Sequence, residues 1–109
     1  MDYAFEKAWQ DTLAKVSKDF GEELDLPGVL LLIGFQESNQ QKRKFSKDEK
    51  IELMHVAICT LLEPYGFYTF KGRDKDGWPH FQRVTSIPEL SAEEQDRLIR
   101  KAIISYFDS

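Results

Sequence analysis

Cysteine is almost missing from this chain of 109 residues: Cys59 stands alone, so no intramolecular disulfide can form. Small secreted domains ordinarily carry an even set of cysteines, and a reducing, cytoplasmic setting is expected instead. Long hydrophobic runs are missing too. The longest, Val29 to Phe35, is far short of the roughly 20 residues of a membrane span. Charged residues from Asp2 to Asp19 leave no uninterrupted apolar segment for a signal peptide. There is no internal repeat, no low-complexity tract and no Pro/Gly/Ser-rich linker, so a single globular domain over residues 1–109 is expected. Nor does the sequence contain a phosphate loop, a nucleophile elbow or a dinucleotide fingerprint. No catalytic residue, metal ligand or cofactor is therefore assigned, and an enzyme is not the leading reading.

What is present suits a folded domain. Hydrophobic residues make up 41% of the chain and charged residues 31%, enough for one core with a solvated exterior. The net charge is −4, unevenly spread. Residues 1–25 carry seven acids and three bases, residues 26–85 seven acids and nine bases, and residues 86–109 five acids and three bases. The ends are acidic and the middle is mildly basic. Nucleic-acid binders usually have a far stronger basic footprint.

Periodicity defines four helices. Phe5, Trp9, Leu13, Val16 and Phe20 draw one apolar stripe along a first helix of about 17 residues, which Gly21 is placed to end. In LDLPGVLLLIGFQES, Pro27 fits a first turn and apolar residues surround the axis, as in a short buried helix; a buried strand over Val29 to Phe35 is the alternative. Gly34 weakens either choice, and Ser38 to Lys44 reads as a polar loop. Ser46 and Glu49 form a capping box ahead of the nearly continuous apolar run from Ile51 to Leu62, which Glu63-Pro64 should stop. This third helix has a polar strip of Glu52, Thr60 and Glu63, with Ile51, Leu53, Met54, Ala57, Ile58, Leu61 and Leu62 around the rest. A second capping box, Ser91 with Glu94, opens the last helix, whose buried face holds Leu98, Ile99, Ala102, Ile103, Tyr106 and Phe107.

Between the third and fourth helices lies YGFYTFKGRDKDGWPHFQRV, with six of the fourteen aromatic residues. It predicts a β-hairpin: strands over Gly66 to Lys71 and Trp78 to Thr85, joined by a turn from Gly72 to Gly77. Pro79 cannot donate to a ladder, so pairing is expected to begin after it, or the strand to be an edge there. Alternation puts Tyr68 and Phe70 on one side and Phe67, Thr69 and Lys71 on the other. In the second strand it opposes Trp78 and His80 to Pro79, Phe81 and Arg83. Two aromatic faces are more than so small a domain can cover. The fold class expected is α+β, four helices packed against a two-stranded antiparallel hairpin in the order α-α-α-β-β-α.

The hairpin is the one place where rings and basic side chains interleave. Phe67, Tyr68, Phe70, Lys71, Arg73, Trp78, His80 and Arg83 form the candidate binding surface. Aromatic and arginine side chains concentrate binding energy at protein interfaces, which makes a protein-binding or adaptor module the leading function. Stacking of bases on the rings, with Lys71, Arg73 and Arg83 on the phosphates, gives the alternative of weak single-stranded nucleic-acid binding. A third reading uses His55 and Cys59, one helical turn apart, as a thiol-based or metal-dependent centre with His80 and Glu52 or Glu63. The bland reading of that pair is packing beside a polar strip. Asp74-Lys75-Asp76-Gly77 lacks the acids of a calcium loop, and Thr85 stands where its bidentate glutamate would be. The partner expected is another protein rather than nucleic acid, with no membrane, the chain itself being a monomer or a weak homodimer through a hairpin edge.

The segments LMHVAIC-x-LLEPYGFY, DGWPHF and AIISYF resemble small single-domain bacterial proteins of unknown function over about residues 26–108. The resemblance implies a free-standing cytoplasmic domain and brings no activity, cofactor or catalytic residue.

Overall fold

A computed structural model describes residues 2–41, 43–85 and 89–108. The elements are α1 (Tyr3–Phe20), α2 (Leu26–Ser38), α3 (Lys47–Leu62), a 3-10 turn (Glu63–Tyr65), β1 (Tyr68–Arg73), β2 (Pro79–Arg83) and α4 (Ala92–Asp108). The class is α+β in the expected order, and the run from Leu26 is helical rather than a strand. The chain divides into two compact units, Met1–Val29 with Leu90–Ser109, and Leu30–Glu89.

The first unit pairs α1 with α4. Asp2 caps α1, its Oδ1 accepting from the Phe5 N–H at 3.0 Å, and its Oδ2 meets Arg97 of α4 at 2.9 Å. Arg97 then lies 4.3 Å over the Phe5 ring and Arg100 lies 4.9 Å over that of Trp9. The guanidinium stems thus cover aromatic surface that α1 would otherwise leave wet. Trp9 and Val16 of the predicted stripe are buried, as are Ile99, Ala102 and Ile103 of α4. Phe20 departs from the expectation at 51% exposed, because the stripe ends there. Gly21 caps α1 with its N–H on the carbonyls of Ser17 and Lys18. The Ser91–Glu94 box opens α4 through reciprocal bonds of 3.0 and 3.1 Å.

In the second unit α2 and α3 approach closely at Gly34. A Cβ there would overlap the backbone carbonyl of Leu53, so the glycine that weakened the helix prediction is what admits the neighbouring helix. Ile33, Leu53, Val56, Ala57, Cys59, Leu61 and Leu62 are buried. Ser38 belongs to the helix and not to a loop: it is 0% exposed, with its hydroxyl donating to the Phe35 carbonyl at 3.0 Å. The Ser46–Glu49 capping box is present at the start of α3. One detail of that helix differs from expectation: Ile51 is 58% exposed rather than part of the apolar circumference. Glu63-Pro64 stops the helix at Leu62 as expected, and the chain tightens into the 3-10 turn before Gly66 ends it.

The hairpin is shifted relative to its prediction. Phe70 pairs with Phe81 and Tyr68 with Arg83, but Lys71 is an extra residue, a β-bulge after which Gly72 faces His80 and Arg73 faces Pro79. Gly72 takes φ of 112°, which a side chain would oppose, and the strand therefore continues through residues expected in the turn. The connection is Asp74 to Trp78, closed by the Asp74 N–H on the Trp78 carbonyl at 3.0 Å. Pro79 is the first strand residue and already part of the ladder.

Cross-strand pairs share a face, so Tyr68, Phe70 and Phe81 lie together, with Arg73 added to their side by the bulge. Thr69, His80 and Gln82 occupy the other. The expected pair of aromatic faces is thus one aromatic face and one polar face, since Phe67 and Trp78 fall outside the regular strands.

Candidate functional site

The aromatic face of the hairpin looks toward α3. Tyr68 meets His55 edge to face with ring centroids 6.4 Å apart, and burial pushes its phenol above the ordinary tyrosine value. Contact is incomplete farther along, where two cavities open between the hairpin and α3 and share Pro79 and Phe81 in their walls. The larger, about 510 Å³, is lined from α3 by Glu49, Glu52, His55, Val56 and Cys59 and from the hairpin by Asp74 and Trp78 to Phe81. The smaller, about 250 Å³, is lined by Glu37, Thr60, Glu63, Phe70 and Arg73 as well as the shared pair. Positions 49, 52, 56, 59 and 60 of α3, and Glu63 just past its end, follow one helical face. The polar strip read from the sequence is that face, and it borders a groove, with Glu52 and Glu63 exposed and Thr60 half-buried.

The tip of the hairpin is held by side chains that point back along the chain. Arg73 Nη1 donates to the carbonyls of Glu37 at 2.7 Å and Gly77 at 2.8 Å. Gln40 Nε2 donates to the carbonyls of Asp76 at 2.8 Å and Ser38 at 3.3 Å. Arg73 and Gln40 thereby satisfy carbonyls left open at the C-terminus of α2. Gln40 carried no signal in the sequence, because its partner is 36 residues away. Asp74 Oδ1 accepts from the N–H groups of Asp76 and Trp78, and Oδ2 sits 2.9 Å from His80 Nε2. The His80 contact, with those backbone donors, holds the Asp74 carboxyl below its ordinary value.

The remaining predicted surface residues divide. Phe70 is 45% exposed and edge-on to Phe81 at 5.6 Å. Arg83 is paired with Glu89 at 3.1 Å on the exterior. Lys71, in the bulge, is exposed, and Phe67 and Trp78 are half-buried. Of the basic stretch 42–44, Lys42 lies outside the described residues. Arg43 pairs with Glu49 at 2.6 Å while lying 4.4 Å over Phe45. With Ser46 also donating to it, Glu49 is held down at about 2.

Cys59 Sγ lies 3.5 Å from His55 Nε2, as the one-turn spacing predicts. Cys59 is 1% exposed, and burial pushes its thiol up to about 11. It is protonated at neutral pH, a poor nucleophile and a poor metal donor. Among the described residues no three histidine, cysteine or acidic side chains converge to hold a metal ion. His80, the third ligand considered, is turned to Asp74.

Comparison with known proteins finds no matching family model, no matching curated protein and no matching solved structure. Among the described residues no helix is long and apolar enough to cross a membrane.

Proposed function

We propose that this protein is a small protein-binding module whose working surface is the aromatic face of the hairpin and the groove beneath it. The observation that carries this reading is Phe70: a large ring, 45% exposed, meeting Phe81 edge-on beside a groove that α3 leaves unfilled. Exposed rings beside a concave, partly apolar surface are where hot-spot contacts concentrate. The test is affinity capture on immobilised protein, comparing wild type with Phe70→Ala and Trp78→Ala variants whose circular dichroism is unchanged. Loss of specific partners is expected. Folded variants that keep every partner would overturn the reading.

Nucleic-acid binding has less support, because Arg73 and Arg83, two of the three cations it requires, are already engaged. A thiol enzyme has less still, given the buried, protonated Cys59. On the same reading the chain is a cytoplasmic protein, consistent with its lone cysteine, and a monomer or weak homodimer. Its segments resemble those of small single-domain bacterial proteins, and on this reading it is one of them.

A further inference from the structure

We infer that the segment taken by this groove is basic, an arginine- or lysine-bearing stretch of the partner with apolar neighbours. The inference rests on the protein-binding reading and adds the chemistry of its occupant. The apolar lining of the groove includes Val56, Trp78, Pro79 and Phe81, which suits aliphatic side-chain stems. Its charged lining is mainly acidic. Five carboxylates line the two cavities, those of Glu37, Glu49, Glu52, Glu63 and Asp74, against the single guanidinium of Arg73.

The pairing of these groups strengthens the asymmetry. Arg73 spends its donors on backbone carbonyls. Glu49 is matched by Arg43 and Asp74 by His80. Among the described residues, the carboxylates of Glu37, Glu52 and Glu63 have neither a hydrogen bond nor an ion pair. Glu52 lines the larger cavity and Glu37 and Glu63 the smaller, so each cavity carries an unpaired carboxylate. Carboxylates beside ring faces accept a guanidinium or ammonium through both an ion pair and a cation–π contact. They repel phosphate, and an acidic partner would meet like charge on the side facing the hairpin.

The probes are two peptides of equal size, acetyl-Leu-Arg-Leu-Arg-amide and the same peptide with citrulline for arginine, titrated into the full isotope-labelled chain. The arginine peptide is expected to shift the Trp78 indole N–H and the amides of Glu52 and Phe81, and to weaken as salt rises. The citrulline peptide should bind about tenfold more weakly. The Glu52→Gln, Glu63→Gln double variant, which leaves the rings in place, should reduce arginine-peptide affinity about fivefold. Equal binding of the two peptides would overturn the inference while leaving the protein-binding reading intact. No shift with either peptide at millimolar concentration, or a groove shift with a single-stranded thymidine octamer alone, would also overturn it. Retention of all partners by the Phe70→Ala variant instead strikes the underlying reading, so the two failures are distinguishable.

Discussion

A methyl group at Gly34 would occupy the space of the Leu53 carbonyl, so the closeness of α2 and α3 depends on a hydrogen atom. Alanine is the better helix former by roughly 1 kcal/mol, but overlap with backbone in a packed interior costs more than that returns. Gly34→Ala is expected to lower unfolding free energy by about 2 kcal/mol or more in urea titration, and a variant as stable as wild type would show that the helices can separate freely. Glu49 concentrates two other local effects, accepting from Ser46 N–H and pairing with Arg43. Its carboxyl is held at about 2 against an ordinary 4.5. Between those values the unfolded chain takes up a proton that the folded chain refuses, so stability falls as pH falls through that window. Glutamine can still close a capping box but does not titrate. Glu49→Gln should therefore flatten the decline in melting temperature between about pH 4.5 and 2, and an unchanged acid limb would contradict the assignment.

At the level of elements, local chemistry was legible where its partners are neighbours in sequence. Both capping boxes, the stripe of α1 and the apolar α3 depend on residues three or four apart, and each is found where periodicity puts it, apart from the exposed Phe20 and Ile51. The hairpin was legible in kind but not in phase, because one extra residue at Lys71 reverses the alternation that follows. Gly72 looked like a turn signal and is instead what lets the strand pass the bulge. The groove could not be read from sequence, since it joins carboxylates of α2, α3 and the 3-10 turn to rings of the hairpin, outside the reach of helical periodicity. Arg73 shows the same limit: counted as a free surface cation, it is the clasp between the hairpin tip and the end of α2. Arg73→Ala is expected to cost about 1 to 2 kcal/mol and to speed amide exchange at Gly77 and Trp78. Protection unchanged at both amides would mean that Gln40 and Asp74 suffice.

For the molecule as a whole, the two tryptophans fall one in each compact unit, Trp9 in the first and Trp78 in the second. The division between the units falls at Val29 and Leu30, inside α2. A helix breaks at a cost, so a boundary within one favours joint unfolding. In Trp9→Phe and Trp78→Phe variants, the remaining tryptophan's fluorescence and the far-ultraviolet circular dichroism should give coincident urea transitions. Separated midpoints would establish two independently melting parts. The hairpin has a further bearing on how copies of the chain treat one another. A two-stranded sheet has only outer strands, each inviting a stranger to extend the ladder. Here one strand is kinked by a bulge carrying a lysine, and the other opens with a proline that has no N–H to offer. Each border carries its own interruption, so the aromatic strands remain available for side-chain contacts while being poor templates for fibrous growth.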